Sequence, residues 1–168
     1  MQLRDFRAED VNAIVLQANN PRVAKYLRDH FPSPYTVADG QWWVTEGHLQ
    51  GPTCNQAITL ADRCIGAIGV RFLENEYRFS AELGYWLGEA YWQQGIATTA
   101  TQTFCDSVFS NYPVKRIYAS VAHANQASAK ALLKSGFQLE GVFKQNIYLR
   151  GVLYDEQIYA LYPRPEKY

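Results

Sequence analysis

The sequence predicts an α+β domain built on a mixed, mostly antiparallel central sheet flanked by helices. Three observations carry that expectation. The hydrophobic periodicity changes along the chain in the order helices, β-meander, then β-α-β-α-β-β, which suits a mixed sheet and departs from doubly wound order. Hydrophobic residues make up 48% of 168, enough to close a core at a size typical of one domain. No repeat, low-complexity tract or Pro/Gly/Ser-rich linker divides the chain, so residues 1–168 read as a single domain.

Each element has its own signal. Residues 2–6 (QLRDF) read as a first strand. Glu9-Asp10 open a helix in which Val11, Ile14, Val15 and Ala18 recur at helical spacing, and Asn19-Asn20-Pro21 breaks it. Pro21 suits the first turn of a second helix, PRVAKYLRDHF, with Val23, Tyr26 and Leu27 on one face. Thr36 followed by Asp39 resembles a capping box for a helix through Gln41, Trp42, Trp43 and Val44. After Gly51-Pro52 come three strands, NQAITLA, CIGAIGVRFL and SAELGYWLG, the first two joined at Asp62-Arg63. From residue 95 a helix runs until Pro113 stops it, and RIYASVAH is the next strand. Residues 125–135 form a helix closed by Gly136, and FQLEGVFK and YDEQIYALY end the chain as strands.

Composition narrows the function classes. Sixteen Lys+Arg balance sixteen Asp+Glu, which argues against a protein whose main work is gripping nucleic acid or an anionic membrane. Three Cys without CxxC spacing make neither a disulfide framework nor a structural zinc site. His30 and His48 show no ligand pattern, so no metal is expected. His123 reads as a structural surface histidine and Cys105 as a core thiol. The N-terminus lacks the apolar run of a signal peptide and no stretch approaches ~20 apolar residues. A cytoplasmic location is expected. Twelve Tyr, eight Phe and four Trp exceed what a core of this size needs, so some of Trp42, Trp43, Tyr85 and Trp86 are expected to line a channel.

The chemistry concentrates in GYWLGEAYWQQGIATTA (84–100). A strand ends at Leu87-Gly88 and Gln93-Gln94-Gly95-Ile96-Ala97 leads into a helix. Small residues at 95 and 97 admit a ligand close to the backbone, and the first N–H groups of the helix are free to hold an anion. Taken alone, a plain strand-to-helix turn explains GxA as well.

A second stretch decides between them. AELGYWLGEAYWQQGIATTA, then NQASAKALLKSGF, then DEQIYALY resembles the Gcn5-related N-acetyltransferase (GNAT) superfamily, in the branch of the ribosomal-protein alanine and serine N-terminal acetyltransferases. The match spans roughly residues 1 to 162, with two ordered motifs at the right separation. The resemblance implies the GNAT-like acyl-CoA N-acyltransferase fold, with acetyl-CoA as donor in a V-shaped opening between the strands at 82–87 and 117–122. It places the pyrophosphate on the backbone of Gln93, Gln94, Gly95, Ile96 and Ala97, pantetheine along the strand edge at Trp86 and Leu87, and Asn125 on the pantetheine arm. Two positions depart from the common pattern. Trp92 stands where Gln or Arg is usual, as in the resembled branch, and Leu132 stands where many members carry a tyrosine acid. Ser128 occupies the place where that branch uses a serine.

The reaction needs a base to take a proton from an alkylammonium and a donor to meet the leaving thiolate. Glu82, just before the cofactor edge, is the candidate base; the alternative is a half-exposed residue paired to a nearby Lys or Arg. Ser128 is the candidate donor, or a local helix cap. Backbone N–H groups of the splayed strand would polarise the thioester oxygen. The expected acceptor is a primary amine: a protein N-terminus, or a polyamine, amino sugar or drug. A non-catalytic acetyl-CoA-binding module is the alternative from another class. Aromatic strand edges near the C-terminus would suit a homodimer.

Overall fold

A seven-stranded sheet crosses the molecule in the order β1-β2-β3-β4-β5-β7-β6. Strands β1 (Gln2–Arg4), β2 (Thr53–Leu60), β3 (Arg63–Phe72) and β4 (Ser80–Leu87) run antiparallel to their neighbours. Strand β5 (Arg116–Ala122) lies parallel to β4, and β7 (Val152–Leu161) and β6 (Gln138–Leu149) complete the sheet antiparallel. This computed structural model describes residues 1–163, so the last five residues of the expected 1–168 domain lie outside the described residues.

Five helices cover the two faces: α1 (Val11–Ala18), α2 (Pro21–Ala24), α3 (Val37–Thr45), α4 (Ile96–Asn111) and α5 (Gln126–Lys134). Helices α4 and α5 bury Ala100, Phe104, Val108, Ala129 and Leu132 against Val70, Leu83 and Ile117 of the sheet. Phe104 is fully buried, so its truncation to Ala costs roughly 3–5 kcal/mol. On the opposite face α1 and α3 bury Ile14, Ala18 and Val44 against Ala57 and Cys64. The Thr36–Asp39 capping box is present and starts α3. Among the described residues, no helix is long and apolar enough to cross a membrane.

Three elements differ from their sequence signal. Helix α2 stops at Ala24 instead of reaching Phe31. At the tip of the β6–β7 hairpin, Arg150 Nε donates to Ala24 O (2.8 Å) and Nη2 to Phe31 O (2.6 Å), while its backbone N–H donates to Asp29 (2.9 Å). Ala24 O also accepts from the Leu27 N–H (3.0 Å), a tighter turn in place of the α-helical ladder. The β2–β3 turn lies at Ala61-Asp62, both at positive φ (48° and 62°), one residue before the expected pair. Two left-handed central residues match the right-handed twist of the flanking strands. Strand β6 extends to Leu149, because register shifts between Leu139/Gly141 and Phe143/Ile147 carry it past the irregular stretch that interrupts its alternation.

Candidate active site

Strands β4 and β5 pair only at Ser80↔Arg116, Ala81↔Ile117 and Glu82↔Tyr118. Beyond Glu82, β4 stays with β3 and β5 stays with β7, so the sheet opens into a fork. The Gly88 N–H donates to Ile65 O (2.8 Å). Antiparallel alternation then turns the main-chain groups of Glu82, Gly84 and Trp86 toward β3, and those of Leu83, Tyr85 and Leu87 toward the fork. Of the two residues expected along this edge, Leu87 presents its backbone to the opening. Trp86 lies beside it, its ring packed edge-on to Phe31 (centroids 5.8 Å) on the α1/α3 face. A Cβ at Gly84 would meet nothing within 4 Å, which leaves the middle of the fork open to a close-lying ligand.

The turn after β4 is held from outside. Trp92 Nε1 donates to Leu87 O (2.8 Å), Asn20 donates to Glu89 (2.7 Å), and Arg22 pairs with Glu89 while lying over the Trp92 ring. Trp92, the residue that departs from the common pattern, is therefore a strut for the turn. Gln93 and Gly95 take positive φ (60° and 76°), and Gly95 caps α4 in a left-handed conformation. A Cβ at Gly95 would point into open space within 4 Å. The first N–H groups of α4, a 16-residue helix, thus face open space beside Gly95 with the positive end of the dipole behind them. Gln93, Gln94, Gly95, Ile96 and Ala97 bring no charged side chain to it.

Across the fork, Asn125 caps α5: its Oδ1 accepts from the Ser128 N–H (3.3 Å). With Asn125 as the cap, the Ser128 hydroxyl is released for another contact and meets Tyr85 OH at 2.9 Å. Burial pushes the Tyr85 phenol up and the Ser128 bond partly offsets it, so the phenol keeps its proton beyond the usual tyrosine range. Leu132, where many relatives place tyrosine, is fully buried in the core. Sequence reasoning missed Tyr85 as the partner of Ser128. The signal was there: a phenol alternating with Leu83 and Leu87 in a core-facing row needs a polar partner.

Glu82 marks the closed end of the fork on the α1/α3 face. Its carboxylate bridges two guanidinium groups, Arg71 (2.5 Å) on β3 and Arg28 (3.1 Å) from the segment after α2. The Arg71↔Glu82 register makes the first pair, and the Arg150 clamp on residues 24–31 holds the segment that supplies the second. A cavity of about 610 Å³ opens on this face, lined in part by Glu82, Tyr118, Ser120, Phe143 and Glu156. Trp43 packs away from it with Phe6 and His48, Trp42 is half exposed, Tyr85 packs on the α4/α5 side and Trp86 packs on Phe31, so the aromatics that line the cavity are Tyr77, Tyr118 and Phe143, none of the four expected.

His48 Nδ1 lies 2.7 Å from Trp43 O, and His123 is exposed. Cys105 is buried and its thiol is pushed up to about 12 by that burial, opposite to an activated nucleophile. Among the described residues no group of His, Cys, Asp and Glu could hold a metal ion.

Residues 1–138 match the family described as the acetyltransferase (GNAT) domain. Over 167 residues (98% of this chain, 93% of the other) the chain is 29% identical to uncharacterized N-acetyltransferase p20 of Bacillus licheniformis. It is 32% identical over 113 residues (67% of this chain, 63% of the other) to the ribosomal-protein-serine acetyltransferase of Escherichia coli K12. The solved structure of RimL, a ribosomal L7/L12 alpha-N-protein acetyltransferase in complex with coenzyme A, superposes with a TM-score of 0.84 at 24% identity, covering 95% of this chain and 92% of that one. With an open fork, an uncharged helix-end cradle and a family match over most of its length, the chain belongs to the acetyltransferase (GNAT) domain family and is an acetyl-CoA-dependent N-acetyltransferase.

Proposed function

We propose that the chain acetylates the α-amine of a protein N-terminus, with acetyl-CoA lying in the β4–β5 fork. The observation that carries the reading is the fork itself. One wall offers backbone groups of Leu87 and the left-handed turn at Gln93–Ala97, and the other offers Asn125 and the Tyr85–Ser128 pair. The donor supplies an acetyl thioester, whose carbonyl is open to attack by an unprotonated amine. Pantetheine amides pair with the exposed β4 edge as an added strand would. The pyrophosphate rests on the N–H groups that open α4, and a Gly at 95 is what lets it approach.

Glu82 takes the acceptor's proton, directly or through one water, and its two arginine partners hold the carboxylate at the closed end of the fork. Attack by the freed amine then forms the C–N bond and breaks the C–S bond, and the nitrogen sheds its second proton to solvent, which resupplies the one given to sulfur. Ser128 Oγ–H donates to the departing sulfur, with Tyr85 OH donating to Ser128 and directing the serine proton outward. The relative that acts on ribosomal-protein serine supports a protein N-terminus as acceptor. A small-molecule amine is the second reading, favoured by a cavity whose 610 Å³ falls within the size range of small-ligand sites. Release of free CoA thiol with a panel of peptides and amines, followed by mass spectrometry of the products, separates them. Turnover of amines with no acetylated peptide would overturn the N-terminal reading.

A further inference from the structure

Three carboxylates line the cavity on the α1/α3 face, and they are not equivalent. Glu82 is bridged by Arg28 and Arg71. Glu140 is paired with Arg116 and also accepts from Tyr162 OH. Glu156, on β7, accepts only from neutral donors: the Ser120 hydroxyl and Asn146 Nδ2 (2.5 Å). Among the described residues it has no cationic partner. Two neutral donors from β5 and β6 hold its carboxylate in one orientation without cancelling its charge. Ser120 lies on the part of β5 that has already left β4, so Glu156 sits beside the open fork, while Glu82 sits at its closed end.

We infer that Glu156 is the carboxylate that receives the acceptor's ammonium group and docks it at the mouth of the fork. This rests on the acetyl-transfer reading and adds to it the residue that selects a cation. A primary amine arrives protonated at neutral pH, since α-amino groups titrate near ~8 and alkylamines near ~10. A half-buried carboxylate without a counter-ion is the group on this face that gains most from such a ligand. Glu140 and Glu82 are already paired, and Phe143 lines the same cavity with an apolar wall that tolerates a cation on its face. Docking and proton removal are thereby divided between two carboxylates on one face: Glu156 binds the charged form, and Glu82 accepts the proton.

Steady-state kinetics with the best acceptor of the panel tests the assignment. Glu156→Gln should raise the acceptor KM about 10- to 100-fold, with kcat within about 3-fold and the acetyl-CoA KM unchanged, and Glu156→Asp should restore most of the loss. A folded Glu156→Gln protein with an unchanged acceptor KM overturns it, as does an equal loss in kcat and in both KM values. Calorimetry on the CoA-loaded wild-type protein gives an independent reading. The best acceptor of the panel should bind at least 10-fold more tightly than its N-acetylated copy, Glu156→Gln should lose that preference, and equal binding of the two by the wild-type protein overturns the inference even where Glu156→Gln does not fold. Binding of CoA with no acceptor turned over would instead overturn the acetyl-transfer reading, and the docking role of Glu156 with it.

Discussion

The two sides of the fork are built from different materials. On the α4/α5 side the candidate contacts are main-chain groups and uncharged side chains: Leu87, the turn at Gln93–Ala97, Asn125 and Ser128. On the α1/α3 side they are charged side chains held by other charged side chains: Arg28, Arg71, Glu82 and Arg116 with Glu140. One side is fixed by backbone geometry. The other is fixed by ion pairs between side chains. The zero net charge fits this division, because an anionic cofactor held by helix-end amides needs no basic surface.

The comparison breaks most visibly at Gly95. Gly95→Glu puts a negative side chain into the helix-end concavity and should weaken acetyl-CoA binding by about 100-fold or more in calorimetry. Gly95→Ala separates charge from strain. Its Cβ meets no atom, but a φ of 76° costs a non-glycine residue roughly 1–2 kcal/mol of folding stability, so Tm should fall while binding weakens by no more than about 10-fold. Equal losses in the two variants would mean that strain alone acts there. On the other side, Glu82→Gln should lower kcat by about 100-fold and leave acetyl-CoA affinity within about 2-fold. Loss of cofactor affinity in that variant would erase the division between the two sides.

The same division explains what was legible in the sequence. The cofactor side is local: Gln93–Ala97 and Asn125–Ser128 are short runs whose turn and cap chemistry can be read from neighbouring residues. The succession of helices and strands along the chain, α4 and α5 included, follows from periodicity in the same way, whereas the insertion of β7 between β5 and β6 in the sheet does not. The acceptor side is assembled over long separations. Arg28 reaches Glu82 across 54 positions, and the segment that carries it is held by Arg150, more than 100 positions later. No local signal encodes that, and helix propensity in PRVAKYLRDHF points the wrong way. Arg71 was within reach, since a hairpin register that buries Val70 opposite Leu83 also sets Arg71 opposite Glu82.

Tyr85 is a smaller test, on the boundary between the sides. Tyr85→Phe removes one hydrogen bond to Ser128, worth about 1 kcal/mol, and should lower kcat roughly 5- to 10-fold with both KM values unchanged. Its pH dependence has a definite sign. A tyrosine pKa raised in the folded state means that the neutral phenol, and the stability it contributes, is fully present below the unfolded value of about 10 and is lost only as pH rises through the raised value. The kcat ratio of wild type to Tyr85→Phe should therefore hold constant up to pH 10. A ratio that collapses between pH 8 and 9 would show that the phenol ionises early and that its burial is broken during turnover.

Arg28 gives the finest distinction. Its side chain is 44% exposed, so its pair with Glu82 is screened and contributes at most about 1 kcal/mol to stability. Arg28→Ala should shift Tm by no more than a few degrees, and Arg71 keeps Glu82 in place. What changes is the field at the mouth of the cavity, which loses one positive charge beside an incoming cation. The acceptor KM should fall about 2- to 5-fold for ammonium acceptors at low salt, and the difference should shrink toward none near 1 M salt, where the screening length is ~3 Å. The acetyl-CoA KM should stay unchanged at every salt concentration. Had Arg28 instead served the cofactor's phosphates, its removal would raise the acetyl-CoA KM and leave the acceptor KM alone, and charge on the acceptor side would no longer be reserved for the acceptor.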